Sequence, residues 1–219
     1  MVKSIGWAIA VATLCVGCRN ADLDKGRSCL GLGDYPLALR FFGRAVEADP
    51  GDYEARLGLG QALLQQAFAL GDSTAFTGAL LQLEACRSLR PSDDLGSLLG
   101  EAWLERARGL LRAGDTLAAL AALSRARDRA PADPKPLNLA GIVYGKRADP
   151  DKAGALFRKA LALDSGDASA HFNLGMLEWQ AGDARAAHGH WLASLKALPA
   201  DEDILYWFAL AEKKLRESP

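Results

Sequence analysis

Residues 168–201 read ASAHFNLGMLEWQAGDARAAHGHWLASLKALPAD, and this stretch decides the fold. Gly175 sits inside an apolar helical run that stops at Gly182-Asp183. A glycine after a helix accepts the left-handed backbone that satisfies the last carbonyls. The aspartate behind it offers its carboxylate to the free N–H groups of the next helix. That second helix carries small Ala187, large Trp191 and small Ser194 on one face, at spacings of four and three. Pro199 and Asp201 then close the unit and begin another. The pattern is helix, tight turn, helix, turn.

Working outward, the same marks recur through the chain. Gly33-Asp34, Gly71-Asp72, Gly114-Asp115 and Ala148-Asp149 match Gly182-Asp183, while Pro50, Pro91, Pro131 and Ser165 match Pro199. Asp52, Asp93, Asp133 and Asp167 follow them as Asp201 follows Pro199, each a candidate cap. Ala38, Ala79, Ala119 and Ala153 repeat the first small position; Ala45, Cys86, Ala126 and Ala160 repeat the second. Between them stand Phe42, Leu83, Leu123 and Phe157, the knobs that fill the groove. Gly26, Gly60, Ala107, Gly141 and Gly175 leave room for them in the first helices.

The units are 19–52, 53–92, 93–133, 134–167 and 168–201, of which the first, fourth and fifth run a strict 34 residues. The second and third are longer, which predicts extended central helices. A last helix over 202–219 is expected to cover the fifth unit with Ile204, Leu205, Phe208 and Leu215.

A helical-hairpin repeat of this period, with small and large positions in phase, resembles the tetratricopeptide repeat family. Ala168 to Gly175, and Gly33 to Ala38 with Phe42, Ala45 and Pro50, carry the resemblance most closely. It covers nearly everything after Cys18. It implies an all-α, right-handed solenoid of about five repeats plus a C-terminal capping helix, whose first helices line a concave, ligand-gripping side. In that register Leu57, Gln61, Leu64, Leu104, Arg108, Leu111, Asn138, Ile142, Phe172, Met176 and Trp179 face the concavity.

Phe172, Met176 and Trp179 form one stripe at i, i+4 and i+7, beyond the packing positions Leu174 and Gly175. With Asn138, Asn173 and Ile142 they make an expected partner site: an apolar groove with amide anchors that bond a peptide backbone in both directions. The competing reading has the stripe packing on Tyr206, Trp207 and Leu210 of the last helix. Glu101, Glu105, Arg108 and Arg112 read as a self-paired, solvated helix face. The Lys, Asn and Arg carboxylate clamp of chaperone-binding members is not reproduced, which disfavours chaperone C-termini as partners.

The first residues read as an address. Lys3 precedes an uncharged run from Ile5 to Cys18. As a helix that run is about 21 Å long, short of the ~30 Å hydrocarbon layer. Residues 1–17 are therefore expected to be a signal peptide. Leu14-Cys15-Val16-Gly17-Cys18 resembles a bacterial lipobox, with Cys15 where such boxes usually have leucine. The resemblance implies lipidation of Cys18 and a cell-envelope location; Arg19 in place of a retention aspartate favours the outer membrane, facing the periplasm.

Composition narrows the function. Of 219 residues half are apolar and 24 % charged, with net charge −1, so the chain buries a core and offers no basic surface for nucleic acid. Leucine and alanine dominate while aromatics make 7 %, favouring helix. His188 and His190 point to different faces of one helix, and Cys29 and Cys86 fall at small or apolar repeat positions. No phosphate loop, nucleophile elbow or acid–base pair stands out, so neither an enzyme nor a cofactor, metal or small-molecule substrate is expected. The expected role is a lipid-anchored interaction scaffold of the envelope. Resemblance suggests a pilotin-like helper of a type IV pilus or secretion secretin, or alternatively an adaptor or regulatory subunit for periplasmic proteases or cell-wall enzymes.

Overall fold

The computed structural model describes residues 21–70, 75–90 and 92–217. The proposed leader with Cys18, the Gly71-Asp72 turn and Pro91 lie outside the described residues. Every regular element among those described is an α-helix. They are α1 (21–31), α2 (Tyr35–Ala48), α3 (Tyr53–Leu70), α4 (Ala75–Leu89) and α5 (Asp93–Arg112), then α6 (Thr116–Arg129), α7 (Lys135–Lys146), α8 (Pro150–Leu163), α9 (Ala168–Gln180), α10 (Ala184–Ala197) and α11 (Glu202–Glu217). The chain divides between Ala113 and Gly114 into two compact units. Helices α3, α4 and α5 have 18, 15 and 20 residues, whereas α6 to α10 have 12 to 14.

The corners are built as their residues dictate. Asp34, Asp115, Asp149 and Asp183 each accept, through Oδ1, the backbone N–H three residues on, at 3.1, 3.0, 3.2 and 2.9 Å. At the other corners Asp52 accepts from Glu54 and Ala55, Asp167 from Ala170 and Asp201 from Ile204. Each such cap contributes about 1 kcal/mol. The third repeat departs from the expected pattern: α5 is capped by Ser92, whose Oγ accepts from Leu95 N at 3.3 Å, and Asp93 is already the first helical residue. Serine there has the extended backbone a cap needs, so the helix starts one residue early.

Three of the corners use glycine at positive φ: Gly33, Gly114 and Gly182, at 75°, 83° and 89°. The fourth uses Ala148, at φ 57°. An L side chain in that region costs roughly 1–2 kcal/mol, partly offset by the entropy glycine adds to the unfolded chain. Ala148→Gly is therefore expected to raise stability by about 0.5–1 kcal/mol. Urea unfolding measures it; an unchanged or lowered midpoint contradicts the strain argument.

Packing follows the small-and-large alternation. Phe42, Leu83, Leu123, Phe157 and Trp191 are all buried, as are the small residues flanking them. Each aromatic knob lies where a first helix has no Cβ: Phe42 against Gly26 and Gly58, Phe157 against Gly141, Trp191 against Gly175. Leu83 uses Gly60 in the same way. A Cβ on Gly141 would stand 2.5 Å from Phe157 Cε1, well inside contact distance. Ser194, at an otherwise alanine or cysteine position, donates its hydroxyl to the Ala168 carbonyl at 2.8 Å and so buries no idle polar group. Cys29 and Cys86 are both free thiols. Cys86 donates to the Tyr53 carbonyl at 3.6 Å, and burial pushes its pKa up to about 11, which makes it a poor nucleophile.

Two expectations about exposed faces need correction. Leu64 and Leu104 are buried, not groove lining, and Leu64 packs with Leu83 and Leu99 in the core of α3, α4 and α5. In α11 the packing face is rotated from the one expected: Ile204 and Ala211 are buried with Trp207 and Phe208 beside them, while Leu205 is 42 % exposed. The bulk of Trp191 beneath α11 draws the indole of Trp207 inward in place of Leu205.

Candidate functional site

In the second unit α7, α9 and α11 carry the residues singled out from sequence. Asp167 orders one end of this face. Its Oδ1 caps α9 while its Oδ2 accepts Asn138 Nδ2–H at 2.7 Å, tying α7 to the start of α9. Asn138 is only 6 % exposed, and its Oδ1 is buried without a hydrogen-bond partner. A buried amide oxygen left idle costs about 1–3 kcal/mol. Asn173 is half-buried on α9. Ile142 is half-buried too, but packs with Ala153, Phe157 and Leu174 in the α7–α8–α9 core, apart from the stripe.

Phe172, Met176 and Trp179 do come together. They are half-buried against Ala187, Trp191, Ile204 and Ala211, with Trp207 and Phe208 alongside. Three indoles meet there: Trp179 lies 5.9 Å from Trp191 and 6.2 Å from Trp207, and Trp191 lies 5.8 Å from Trp207, centroid to centroid. Tyr206 stands edge-on to Trp207 at 5.5 Å and is 63 % exposed. Lys214 Nζ sits 4.9 Å over the Trp179 ring, within reach of its negative face. The stripe therefore packs on α11 through Trp207, one of the three residues the competing reading named, and still retains solvent-facing surface. Lys214 was missed in the sequence, since a cation on a polar helix face carries no mark of the ring beneath it.

Elsewhere, a pocket of about 230 Å³ lies among α6, α7 and α8, lined by Leu123, Arg127, Leu137, Tyr144 and Leu156 among others. That is below the roughly 300–1,000 Å³ of drug-sized ligand sites. Arg108 is ion-paired with Glu105 on the charged face of α5, the local pairing its spacing implies.

The arrangement defines a class: an array of helical hairpins with aspartate-capped corners and glycine-seated knobs. The chain belongs to the tetratricopeptide repeat family, whose profile matches residues 23–88, 104–168 and 138–202. Members of this family are generally non-catalytic scaffolds for protein–protein interaction. No curated protein matches the sequence. Solved structures share the fold. MamA (residues 41 to the end) of Desulfovibrio magneticus RS-1 aligns over 84 % of this chain and 97 % of its own, with TM-score 0.58 and 22 % identity. YrrB, described as a TPR protein with an unusual peptide-binding site, aligns over 84 % and 89 %, with TM-score 0.55 and 19 % identity. The first TPR of Spaghetti (RPAP3), bound to the HSP90 peptide SRMEEVD, aligns over 55 % and 98 %, with TM-score 0.52 and 15 % identity.

Proposed function

We propose that this protein is a non-enzymatic scaffold that grips an extended peptide or a partner helix along the α9 and α11 face, tethered to a bacterial envelope membrane by lipid on Cys18. One observation carries the gripping surface. The rings Trp191, Trp179, Trp207 and Tyr206 are in successive contact, and they grade from fully buried to 63 % exposed. Rigid aromatics anchored in a core and surfacing at one end supply contact area at little entropic cost, which is why such residues dominate interface energetics. Exposed Leu205 neighbours them in sequence on α11. The peptide-bound and peptide-binding neighbours named above support this mode of use.

Tethering rests on the lipobox-like Val16-Gly17-Cys18. Acyl chains contribute about 0.8 kcal/mol per buried CH₂, so several chains hold the protein at a membrane. Within this reading, help in assembling a type IV pilus or secretion secretin at the outer membrane rests on the pilotin-like resemblance. Service to periplasmic proteases or cell-wall enzymes is the alternative. Affinity capture from solubilised membranes with the lipidated chain, followed by mass spectrometry, tests the scaffold. Recovery of pilus or secretin components, with loss of pili in a deletion strain, supports the first role; protease or cell-wall partners replace it with the second. Cys18→Ser is expected to move the protein to the soluble fraction. If that variant stays anchored, lipidation is wrong.

A further inference from the structure

Two imidazoles from different helices converge beside the α9 stripe. His171 of α9 and His190 of α10 bring their Nδ1 atoms to 3.2 Å, with ring centroids 5.5 Å apart. His171 Nε2 lies 3.1 Å from the Ser165 carbonyl oxygen. A carbonyl only accepts, so His171 carries its proton on Nε2 and leaves the Nδ1 lone pair free. The proton between the rings then belongs to His190 Nδ1. His188, two residues earlier, faces elsewhere and stacks on Phe208 at 4.4 Å.

We propose that His171 and His190 form a binding clip for a borderline divalent cation of the Zn²⁺ class, joining α9 to α10. With Zn–N bonds of about 2.05 Å, two nitrogens at this separation subtend roughly 100° at the ion, near the tetrahedral angle. The Nε2–H donated to the Ser165 carbonyl is the outer contact that fixes the tautomer of a metal-ligating histidine. Glu178 is close enough to act on His190 electrostatically, adding negative potential for a cation. Both rings are half-buried, which leaves access for the ion and for the waters that complete its shell. Among the described residues no group of three or more His, Cys, Asp or Glu is placed to hold a metal, so protein ligation is bidentate and affinity is moderate. On binding, the His190 proton passes from Nδ1 to Nε2, and both imidazoles stay neutral.

Sequence alone sets His190 beside only His188, on a different face of the same helix. The partner it meets is nineteen positions away, brought in by the helix pairing that Trp191 and Ser194 enforce.

The test is calorimetric titration of Zn²⁺ into the untagged full chain and into His171→Asn, His190→Asn and His188→Asn, each checked for helix content. One Zn²⁺ per native chain is expected, with affinity lowered about tenfold or more by the first two substitutions and unchanged by the third. Imidazole nitrogen resonances report the site in the unmodified protein, should a variant fail to fold. Zn²⁺ is expected to move the Nδ1 signals of His171 and His190 and to leave His188 in place. No binding by the native chain, equal affinity in all variants, or movement of His188 alone overturns the proposal.

Discussion

Gly175→Ala is expected to destabilise the second unit by about 3 kcal/mol, a large share of the 5–15 kcal/mol that holds a typical domain together. The added methyl would overlap Trp191 at Nε1, Cδ1 and Cε2, and Trp191 has no accessible surface into which to retreat. Overpacking of this kind costs about 1–3 kcal/mol. The indole N–H also donates to the Phe172 carbonyl at 3.2 Å, and a ring pushed aside gives up that bond. A buried donor left idle adds about 1–3 kcal/mol, against which alanine's better helix propensity returns about 1. Gly189→Ala on α10 is the control, because a Cβ there meets nothing within 4 Å. The same substitution should then stabilise by about 1 kcal/mol, propensity acting alone. Opposite signs in urea unfolding support the seating argument, and coupling between Gly175→Ala and Trp191→Leu in a double-mutant cycle locates it. Equal signs contradict it.

That pair of glycines also shows how far the sequence was legible. Gly175 falls in a phased set with Gly26, Gly60 and Gly141, so its role as a seat for a knob follows from the repeat. Gly58, the second seat of Phe42, lies outside that phase and was not distinguishable from a helix-weakening accident. Aspartate caps were readable for the same reason, since an aspartate at a helix start has one common use. The cap of α5 was not, because serine at 92 and aspartate at 93 compete for one role and the backbone angle settles it. Where the candidate site depends on one helix it was readable: the Phe172, Met176 and Trp179 stripe is simple arithmetic at 3.6 residues per turn. Where it depends on how two helices rotate about each other it was not. The Trp207-for-Leu205 exchange on α11, the Lys214 contact with Trp179 and the His171–His190 meeting are all of that kind. Asn138 lies between these cases. Its position on α7 was readable, but its burial and its bond to Asp167 need the next repeat in place.

Replacing Phe172, Met176 and Trp179 together by alanine is expected to lower stability by about 4 kcal/mol, since each half-buried side chain forfeits roughly half of the 2–5 kcal/mol typical of a fully buried one. Loss of partner capture by that variant alone would not separate gripping from folding, because the stripe also supports α11 through Trp191 and Trp207. Conservative ring substitutions separate them, with Asn138→Leu as a control at a buried site. The amide already wastes its Oδ1 in a buried setting, so exchanging it for a similar apolar volume removes an idle acceptor and one hydrogen bond to Asp167, effects of about 1 kcal/mol each and opposite in sign. Asp167 keeps its bond to Ala170 N, so the α9 cap survives. Stability of Asn138→Leu should therefore stay within about 1 kcal/mol of the native chain. If the face grips a partner through its rings, capture of the membrane partner is unchanged in this folded variant, whose altered side chain is buried, while the conservative set Phe172→Leu, Met176→Leu, Trp179→Phe weakens capture and largely preserves stability. Full capture by the conservative set, beside an unstable alanine triple, would leave the aromatic stripe a structural role only and move the gripping surface elsewhere on the array.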